Sequence, residues 1–487
     1  MQYKVLMVYA NSFSDGIPPI GIATLISVLK NQFNVKLFDT TFYPGKFDKM
    51  REWREKTLEY KKVNGKLYDL NKSNMFEDFD NLCKTFKPDI IGVTATSSDY
   101  QLGLELVKDI YDIPVIFGGI HATIAPEDII NANVNFVFRG EAEEVIIDLF
   151  NDIIEQNDLS KYPGLWYNRD GFLRKNEGCP IISNLDKTPP PDWSLFDKRH
   201  FRRPFKGKIY QVGTYENARG CPYATCSYCV MHTLKKLQPN NMHYREKSVD
   251  KTIKEIKKLI KDYDINLIKF WDENFLGHRK KAKEFLTRYR EEVGIPFMIQ
   301  TRPENVTEEL AQLLKDSKCV NLSVGIEHGN EKIRANVLHR YTKNDRIIDG
   351  FKNCNKYGLR TTSFLIMGVP TETRQHIFEG IQLVKKCNPT ACDTFFLFPY
   401  KGSEIHKYCV ENNLIDKDEP TEYGDTHYDY IIKHPDLTVD ELRGLRRTFS
   451  MYVKTDELFW DIIREAETDD HLYEYLNGLY AKVIHGS

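Results

Sequence analysis

Two apolar patterns alternate along the chain. Short, nearly continuous runs such as "YKVLMVY" (Tyr3–Tyr9), "VKLFD" (Val35–Asp39), "DIIGVTA", "IPVIFGG" and "VNFVFRG" have the length and residue types of buried strands. Between and after them, "GIATLISVLKN" (Gly21–Asn31), "YQLGLELVKDI" and "EAEEVIIDLF" place apolar residues at helical spacing, the last opening on acids as a helix N-terminus prefers. Five β-rich runs separated by helices over residues 1–157 predict an α/β unit, a doubly wound, Rossmann-like parallel sheet. The interruption from Tyr43 to Phe86, with "KFDKMREWREKTLEYKKVNGK", reads as a helical insertion.

Residues 158–208 read as a linker with a hairpin. "GLWYNRDGFLRKN" turns at Asn168 to Gly171, and "LDKTPPPDW" (Leu185–Trp193) has three consecutive prolines, a stiff polyproline-type spacer. Strand–helix alternation then resumes over residues 209–404. Strands fit "IYQVGTYE", "NLIKFWD", "PFMIQTR", "VNLSVGIE", "RTTSFLIMG" and "CDTFFLFP". One intervening helix is predicted over Ser248–Tyr263, with Ser248 as cap and Ile253, Ile256, Leu259 and Ile260 on one face. Six β/α units in this length suit a partial (β/α)6 barrel, whose chemistry belongs on loops at the strands' C-terminal ends. Residues 405–487 form a helical tail, with a capping-box pattern at Thr438 and Glu441 and an apolar face of Leu442, Leu445, Phe449, Tyr452 and Val453.

Ligands of open α/β sheets sit at the carboxyl ends of the strands. In the first sheet those ends carry "TATSSD" with Thr96, Ser97 and Ser98, "GGIHAT" with Gly118, Gly119 and His121, and "RGEAEE" with Gly140 and Glu141. Each alone reads equally well as a tight turn, but three on one edge point to a site for a large ligand. Charge and composition narrow the classes further. The 487 residues are 41% hydrophobic and 28% charged with a net charge of −2, a balance without the basic footprint of a nucleic-acid binder. No stretch approaches the ~20 apolar residues of a membrane span, and the N-terminal "MQYKVLMVYANSF" lacks the pattern of a signal peptide, so a soluble cytoplasmic protein is expected.

Seven of the ten cysteines are scattered and read as small buried hydrophobes. The other three, Cys221, Cys226 and Cys229, crowd into "RGCPYATCSYCVMH" directly after the first barrel strand, with His232 close behind. Two chemistries use such a set. A structural zinc would take all four side chains in a closed site, although its usual pattern has two ligand pairs separated by a connecting segment. An iron–sulfur cubane would take the three thiolates alone and leave one iron open to a small molecule. Spacing leaves both standing.

The cysteine loop on the first strand of a barrel resembles the radical S-adenosylmethionine (SAM) superfamily, and Tyr228 before the last cysteine fits its pattern. The family spacing is C-x3-C-x2-C, whereas this chain has C-x4-C-x2-C, with Ala224 or Thr225 as the extra residue that could loop outward. Further segments resemble the family in order: "FWDENF" with Asp272 and Glu273, "TRP" with Arg302, "GIEHGNEKI" with Glu327, "FLIMGVPTET" with Gly368, and "FPYKGSEI". The resemblance implies a 4Fe-4S cluster on Cys221, Cys226 and Cys229. It also implies SAM bound near Tyr228, Asp272, Glu273, Arg302, Glu327 and Gly368, with Glu273 or Asp272 near the amine, Glu327 near the ribose and Gly368 against adenine.

Residues 1–150 in turn resemble the cobalamin-binding domain often fused in front of such barrels, through "IPPIGIATLISVL", "DIIGVTA", "VIFGGIHAT" and "FRGEAEE". That implies cobalamin over Thr96, Ser97, Ser98, Gly118, Gly119, His121, Gly140 and Glu141. The D-x-H-x-x-G motif is absent, so His121 is not expected on cobalt. The implied enzyme uses one electron from a flavodoxin- or ferredoxin-type donor to cleave SAM to methionine and a 5′-deoxyadenosyl radical, which abstracts hydrogen from carbon. Methyl transfer to an unactivated carbon of a small-molecule or peptidyl substrate follows, with a radical cyclisation or rearrangement as the alternative. A zinc-stabilised binding protein is the reading from another class.

Overall fold

The computed structural model describes residues 2–12, 19–45, 67–132, 134–238, 242–416, 426 and 429–485. The stretch "KFDKMREWREKTLEYKKVNGK" (residues 46–66) lies outside them; the described end of the interruption is the helix Met75–Phe86, capped by the Asn74 side chain.

The first sheet contains β1 (Lys4–Tyr9), β2 (Asn34–Asp39), β3 (Ile90–Thr94), β4 (Val115–Gly118), β5 (Phe136–Phe138), β6 (Leu165–Arg169) and β7 (Phe172–Lys175), in the order β2-β1-β3-β4-β5-β6-β7. The first five are parallel, and β1 is buried on both faces, as its unbroken apolar run requires. The order reverses between β1 and β3, which opens the crevice where such sheets take their ligands.

Two connector readings change. The hairpin is not spacer: β6 pairs antiparallel with β5 and β7 with β6, so residues 165–175 form the edge of the first sheet. Its turn falls where expected, with Asp170 and Gly171 both at positive φ, 54° and 78°. The proline stretch is packed rather than free. Trp193 is 2% exposed in the core, Asp192 pairs with Lys30 (2.9 Å), and Lys251 donates to the Thr188 carbonyl (2.7 Å). Proline removes donors but leaves flanking side chains able to dock, and here they tie the two sheets together.

The second sheet runs β16-β15-β14-β13-β12-β9-β8, from β8 (Arg202–Phe205) and β9 (Lys208–Tyr215) to β12 (Leu267–Phe270), β13 (Phe297–Thr301), β14 (Cys319–Glu327), β15 (Thr361–Met367) and β16 (Ala391–Phe396). The intervening β10 (Ala218–Arg219) and β11 (Arg245–Glu246) form a separate two-stranded ladder. All six anticipated strands are present and parallel, and the sheet stays open, a partial barrel; the antiparallel β8 is an addition. Ser248 caps Val249–Tyr263 and buries Ile253, Ile256 and Leu259. In the tail, Thr438 and Glu441 form the capping box of Val439–Lys454, whose face from Leu442 to Val453 is buried against β16 and the helix Arg374–Cys387. Among the described residues no helix is long and apolar enough to cross a membrane.

Candidate active site

The cysteine loop leaves β9 where the backbone crosses a neighbour closely: a Cβ on Gly220 (φ 86°) would sit 1.6 Å from the His243 carbonyl oxygen. The extra residue does not loop outward. Ala224 is buried (4% exposed) at φ 42°, a left-handed conformation unusual for alanine. That turn aims the N–H groups of Tyr223 and Ala224 at the Cys221 sulfur. Beyond it, the loop is gripped by the 337–339 segment: the Ser227 hydroxyl donates to Val337 O (2.6 Å) and the Thr225 hydroxyl to His339 O (3.2 Å). Cys229 then begins the helix Val230–Leu237.

Burial pushes the Cys221 thiol up against the pull of those two N–H groups, and burial with the Glu273 charge pushes Cys229 up further. All three clustered thiols are half-buried, whereas Cys83, Cys179, Cys319, Cys354, Cys387 and Cys409 are buried and Cys392 is half-buried. His232 is not available as a fourth ligand. Its Nδ1 faces the Ala224 carbonyl (3.1 Å) and its Nε2 the Glu404 carboxylate (2.8 Å). Among the described residues no three His, Cys, Asp or Glu side chains converge on one ion; a cubane needs no such point, because each thiolate takes a different iron. Three half-buried sulfurs with backbone donors around them fit the cluster.

The remaining candidates divide. Glu273 lines a cavity of about 200 Å³ beside the loop, together with Glu216, Met231, Trp271 and His243. It meets solvent through that cavity, but surrounding protein and the Glu216 charge push its carboxyl up to about 7. Asp272 faces away: it is 2% exposed and accepts the Asn217 N–H (3.2 Å), bracing the start of the loop. Its carboxyl is also pushed up to about 7, by burial first and with Glu216 adding.

Arg302 is engaged within the protein, donating to Glu304 (2.6 Å) and Thr342 (3.0 Å) and lying over the Tyr223 ring. Glu327 sits at φ 70° on a register shift in β14, where its carboxylate folds back over Gly325 to pair with Arg340 (3.2 Å). Burial raises the Tyr228 hydroxyl well above its ordinary value, the Glu327 charge adds to this, and Arg340 opposes it. Gly368 does not offer an open face. Its N–H bonds Glu372 (2.6 Å), its carbonyl accepts the Tyr430 hydroxyl (2.8 Å), and the Tyr430 ring stands 2.3 Å from where a Cβ would be. The helical tail has covered it.

A second cavity, of about 290 Å³, opens at the first sheet's strand ends and reaches between β1, β3 and the helices Ile20–Leu29 and Ile146–Ile154. Met7, Ile22, Leu25, Leu149 and Phe150 make it apolar, and Gly92 lets Met7 and Phe150 pack close at its wall, where a Cβ would stand 2.9 Å from the Met7 sulfur. Gly118 and Gly21 face it with nothing within 4 Å of where a Cβ would stand, which suits a flat ring against backbone.

The polar candidates on this edge turn elsewhere. Thr96 bonds Asp99 (2.6 Å), Ser98 has its N–H on Thr96 (3.3 Å), and Ser97 bonds His121 Nδ1 (3.0 Å). His121 is 0% exposed, stacked on Tyr100 and facing Asp128 (3.5 Å), so its ring is turned into the protein. Gly119 (φ 96°) and Gly140 (φ 100°) are required by close neighbours, Thr94 and Pro180. Glu141 is committed: Arg245 holds both its oxygens (2.8 Å each), Arg219 stands at 3.4 Å, and the Ile182 N–H donates to it (2.7 Å). Burial works against its charge, but the Arg245 hydrogen bonds and the two arginine charges outweigh burial and hold the carboxyl below its usual range.

Glu141, Glu216, Arg219, Leu234 and Gln238 line both cavities, so the strand-end voids of the two sheets adjoin. Sequence reasoning missed Arg219, Arg245 and Arg340, whose carboxylate partners are mostly remote in the chain, and the apolar shaft. The shaft had a signal: a glycine inside the buried run "IIGVT" marks a close approach.

Comparison with known families matches residues 7–150 to the B12 binding domain and residues 215–384 to the Radical SAM superfamily. The chain is a radical SAM enzyme with a B12-binding domain. Its cofactors are a 4Fe-4S cluster, SAM and cobalamin. An uncharacterised methyltransferase of Pyrococcus horikoshii is 28% identical over 456 residues, 91% of this chain and 90% of its own length. The anaerobic magnesium-protoporphyrin IX monomethyl ester cyclase of Rubrivivax gelatinosus is 26% identical over 384 residues, 76% of this chain and 66% of its own. Among solved structures, the cobalamin-dependent radical SAM enzyme OxsB superposes with a TM-score of 0.68 at 16% identity, covering 99% of this chain and 72% of that one. The methyltransferase TsrM from Kitasatospora setae gives 0.65 at 16%, covering 96% and 89%. At those identities the likeness is one of fold.

Proposed function

We propose that this radical SAM enzyme transfers a methyl group to an unactivated carbon of a small-molecule or peptidyl substrate held where the two cavities adjoin. The observation that carries this is that the two cavities adjoin at Glu141, Glu216, Arg219, Leu234 and Gln238, with Gly118 lining one and the start of the cysteine loop at Arg219 and Gly220 lining the other. The cofactors supply the radical and methyl-transfer chemistry, and the protein's part is to align them and exclude water. In this reading Cys221, Cys226 and Cys229 each hold one iron. Glu273 takes the SAM ammonium, because its carboxylate faces the inner cavity and meets no cation among the described residues. Glu327, fixed by Arg340, and Tyr228 flank the same molecule. Asp272, Arg302 and Gly368 shape the site through other residues. Cobalamin rests on Gly118 and Gly119 with its tail in the apolar shaft, and no histidine reaches cobalt.

The functional units in this proposal are the first sheet through Lys175, the barrel over residues 209–404 and the tail over 405–487. The enzyme works in the cytoplasm with a flavodoxin- or ferredoxin-type donor. The relative named as a cyclase favours a second reading, radical cyclisation with the same cofactors. Product counting separates the two. A methylase consumes one SAM for its methyl group and another for the radical, so anaerobically reconstituted enzyme should release S-adenosylhomocysteine and 5′-deoxyadenosine in equal amounts. A cyclase releases 5′-deoxyadenosine alone, and that result would replace methyl transfer.

A further inference from the structure

The cysteine loop carries one residue more than the C-x3-C spacing it resembles, and the structure shows where that residue goes. Ala224 is folded inward at φ 42° and buried, with its N–H turned to the Cys221 sulfur and its carbonyl turned to His232 Nδ1 (3.1 Å). A left-handed alanine is disfavoured relative to ordinary backbone, so something must hold it there. His232 is on the helix that Cys229 begins, one turn past the last thiol. Its other nitrogen bonds Glu404 (2.8 Å), the first residue of the helix Glu404–Glu411. Glu404 also receives Lys236 Nζ (2.6 Å) and His339 Nδ1 (3.2 Å). One carboxylate thus anchors the histidine, the helix behind the cysteines and the segment that grips Thr225 and Ser227.

We propose that His232, anchored by Glu404, is a positioning residue that pins the extra residue Ala224, so that a four-residue spacer presents Cys221 and Cys226 as a three-residue spacer would. The proposal rests on the reading that the three cysteines hold the cluster. It assigns His232 no bond to iron, since both ring nitrogens are used within the protein.

Asparagine separates positioning from bulk, because its amide nitrogen occupies the place of His Nδ1 and can donate to the Ala224 carbonyl but cannot reach Glu404. His232→Ala should retain the iron and sulfide of the parent. It should shift the paramagnetic resonance of the reduced cluster and weaken SAM binding about fivefold, the loss of one hydrogen bond's worth of order. His232→Asn should restore most of both. In a chain lacking Ala224, which returns the loop to three-residue spacing, His232→Ala should move neither readout. An unchanged spectrum and SAM affinity in His232→Ala overturns the proposal, as does an asparagine variant no better than alanine, or an equal loss with and without Ala224. Loss of all iron in His232→Ala, matching Cys229→Ala, overturns it in another way by making the histidine a ligand. Retention of iron in Cys221→Ala would instead sink the cluster reading beneath it. Should the chain lacking Ala224 not fold, the alanine–asparagine comparison decides by itself.

Discussion

Glu141 and Glu273 border the same void, yet they have opposite fates. Glu141 comes from the first sheet and is gripped by Arg245 on both oxygens, with Arg219 alongside; its carboxyl lies below the ordinary range. Glu273 comes from the second barrel strand's end, meets no cation among the described residues, and is pushed up to about 7 by the surrounding protein and the Glu216 charge although it opens to the cavity. A carboxylate clasped by buried arginines is structural, whereas an unpaired carboxylate open to a cavity is poised for a ligand of opposite sign. The same contrast holds for the two sheet edges. The first offers open backbone and an apolar shaft, which suit a large, mostly neutral ring. The second presents thiols and carboxylates, which suit a metal cluster and a charged cosubstrate.

The largest effect should come from breaking the clasp. Arg245→Ala leaves Glu141 buried without its main partner and should cost about 3 kcal/mol of stability, because an uncompensated buried charge is expensive. Thermal unfolding reads the loss, and Glu141→Gln in the same chain should recover part of it. If Arg245→Ala melts like the parent, Glu141 is not a clasp and the comparison collapses.

Glu273→Gln should instead leave melting nearly unchanged and weaken SAM binding roughly ten- to hundredfold, the range for a lost charge-assisted contact. The pH dependence sharpens this. A carboxyl raised to about 7 stabilises the ligand-free fold at low pH and loses that contribution as pH rises through 7. Binding an ammonium demands the ionised form, so SAM affinity of the parent should fall by up to about tenfold per pH unit below 7. Titration calorimetry at several pH values checks both, and the glutamine variant should show a flatter profile. Equal slopes in the two proteins would remove Glu273 from the SAM site.

The smallest effect concerns the tail. Tyr430→Phe removes one hydrogen bond to the Gly368 carbonyl while keeping the ring over the glycine, for about 1 kcal/mol in chemical denaturation. Tyr430→Ala uncovers Gly368 altogether and should cost more. An equal cost for both would place the whole contribution in the hydroxyl.

Much of this was legible along the chain because it is local. β1 and β3 are apolar runs buried on two faces, β13 and β15 alternate buried and half-buried positions, and Ser248 and Thr438 cap helices within three residues of themselves. The cysteine cluster was legible for the same reason. Side-chain direction was not. Thr96, Ser97 and His121 stand at the strand ends as expected but turn inward, because Asp99 and Asp128 were there to bond them. Arg340 was invisible, since its partner Glu327 reaches it only by a bulge in β14.

The order of strands and helices, the capping sites and the donor set of three thiols were therefore determined by the sequence itself, through periodicity, local hydrogen bonding and short spacing. Only the tertiary structure decided which carboxylate stayed unpaired, which glycine stayed uncovered, and that Ala224 folds inward. Those outcomes depend on partners brought from far along the chain, Arg245 to Glu141, Tyr430 to Gly368 and Glu404 to His232, and local pattern carries no information about such meetings.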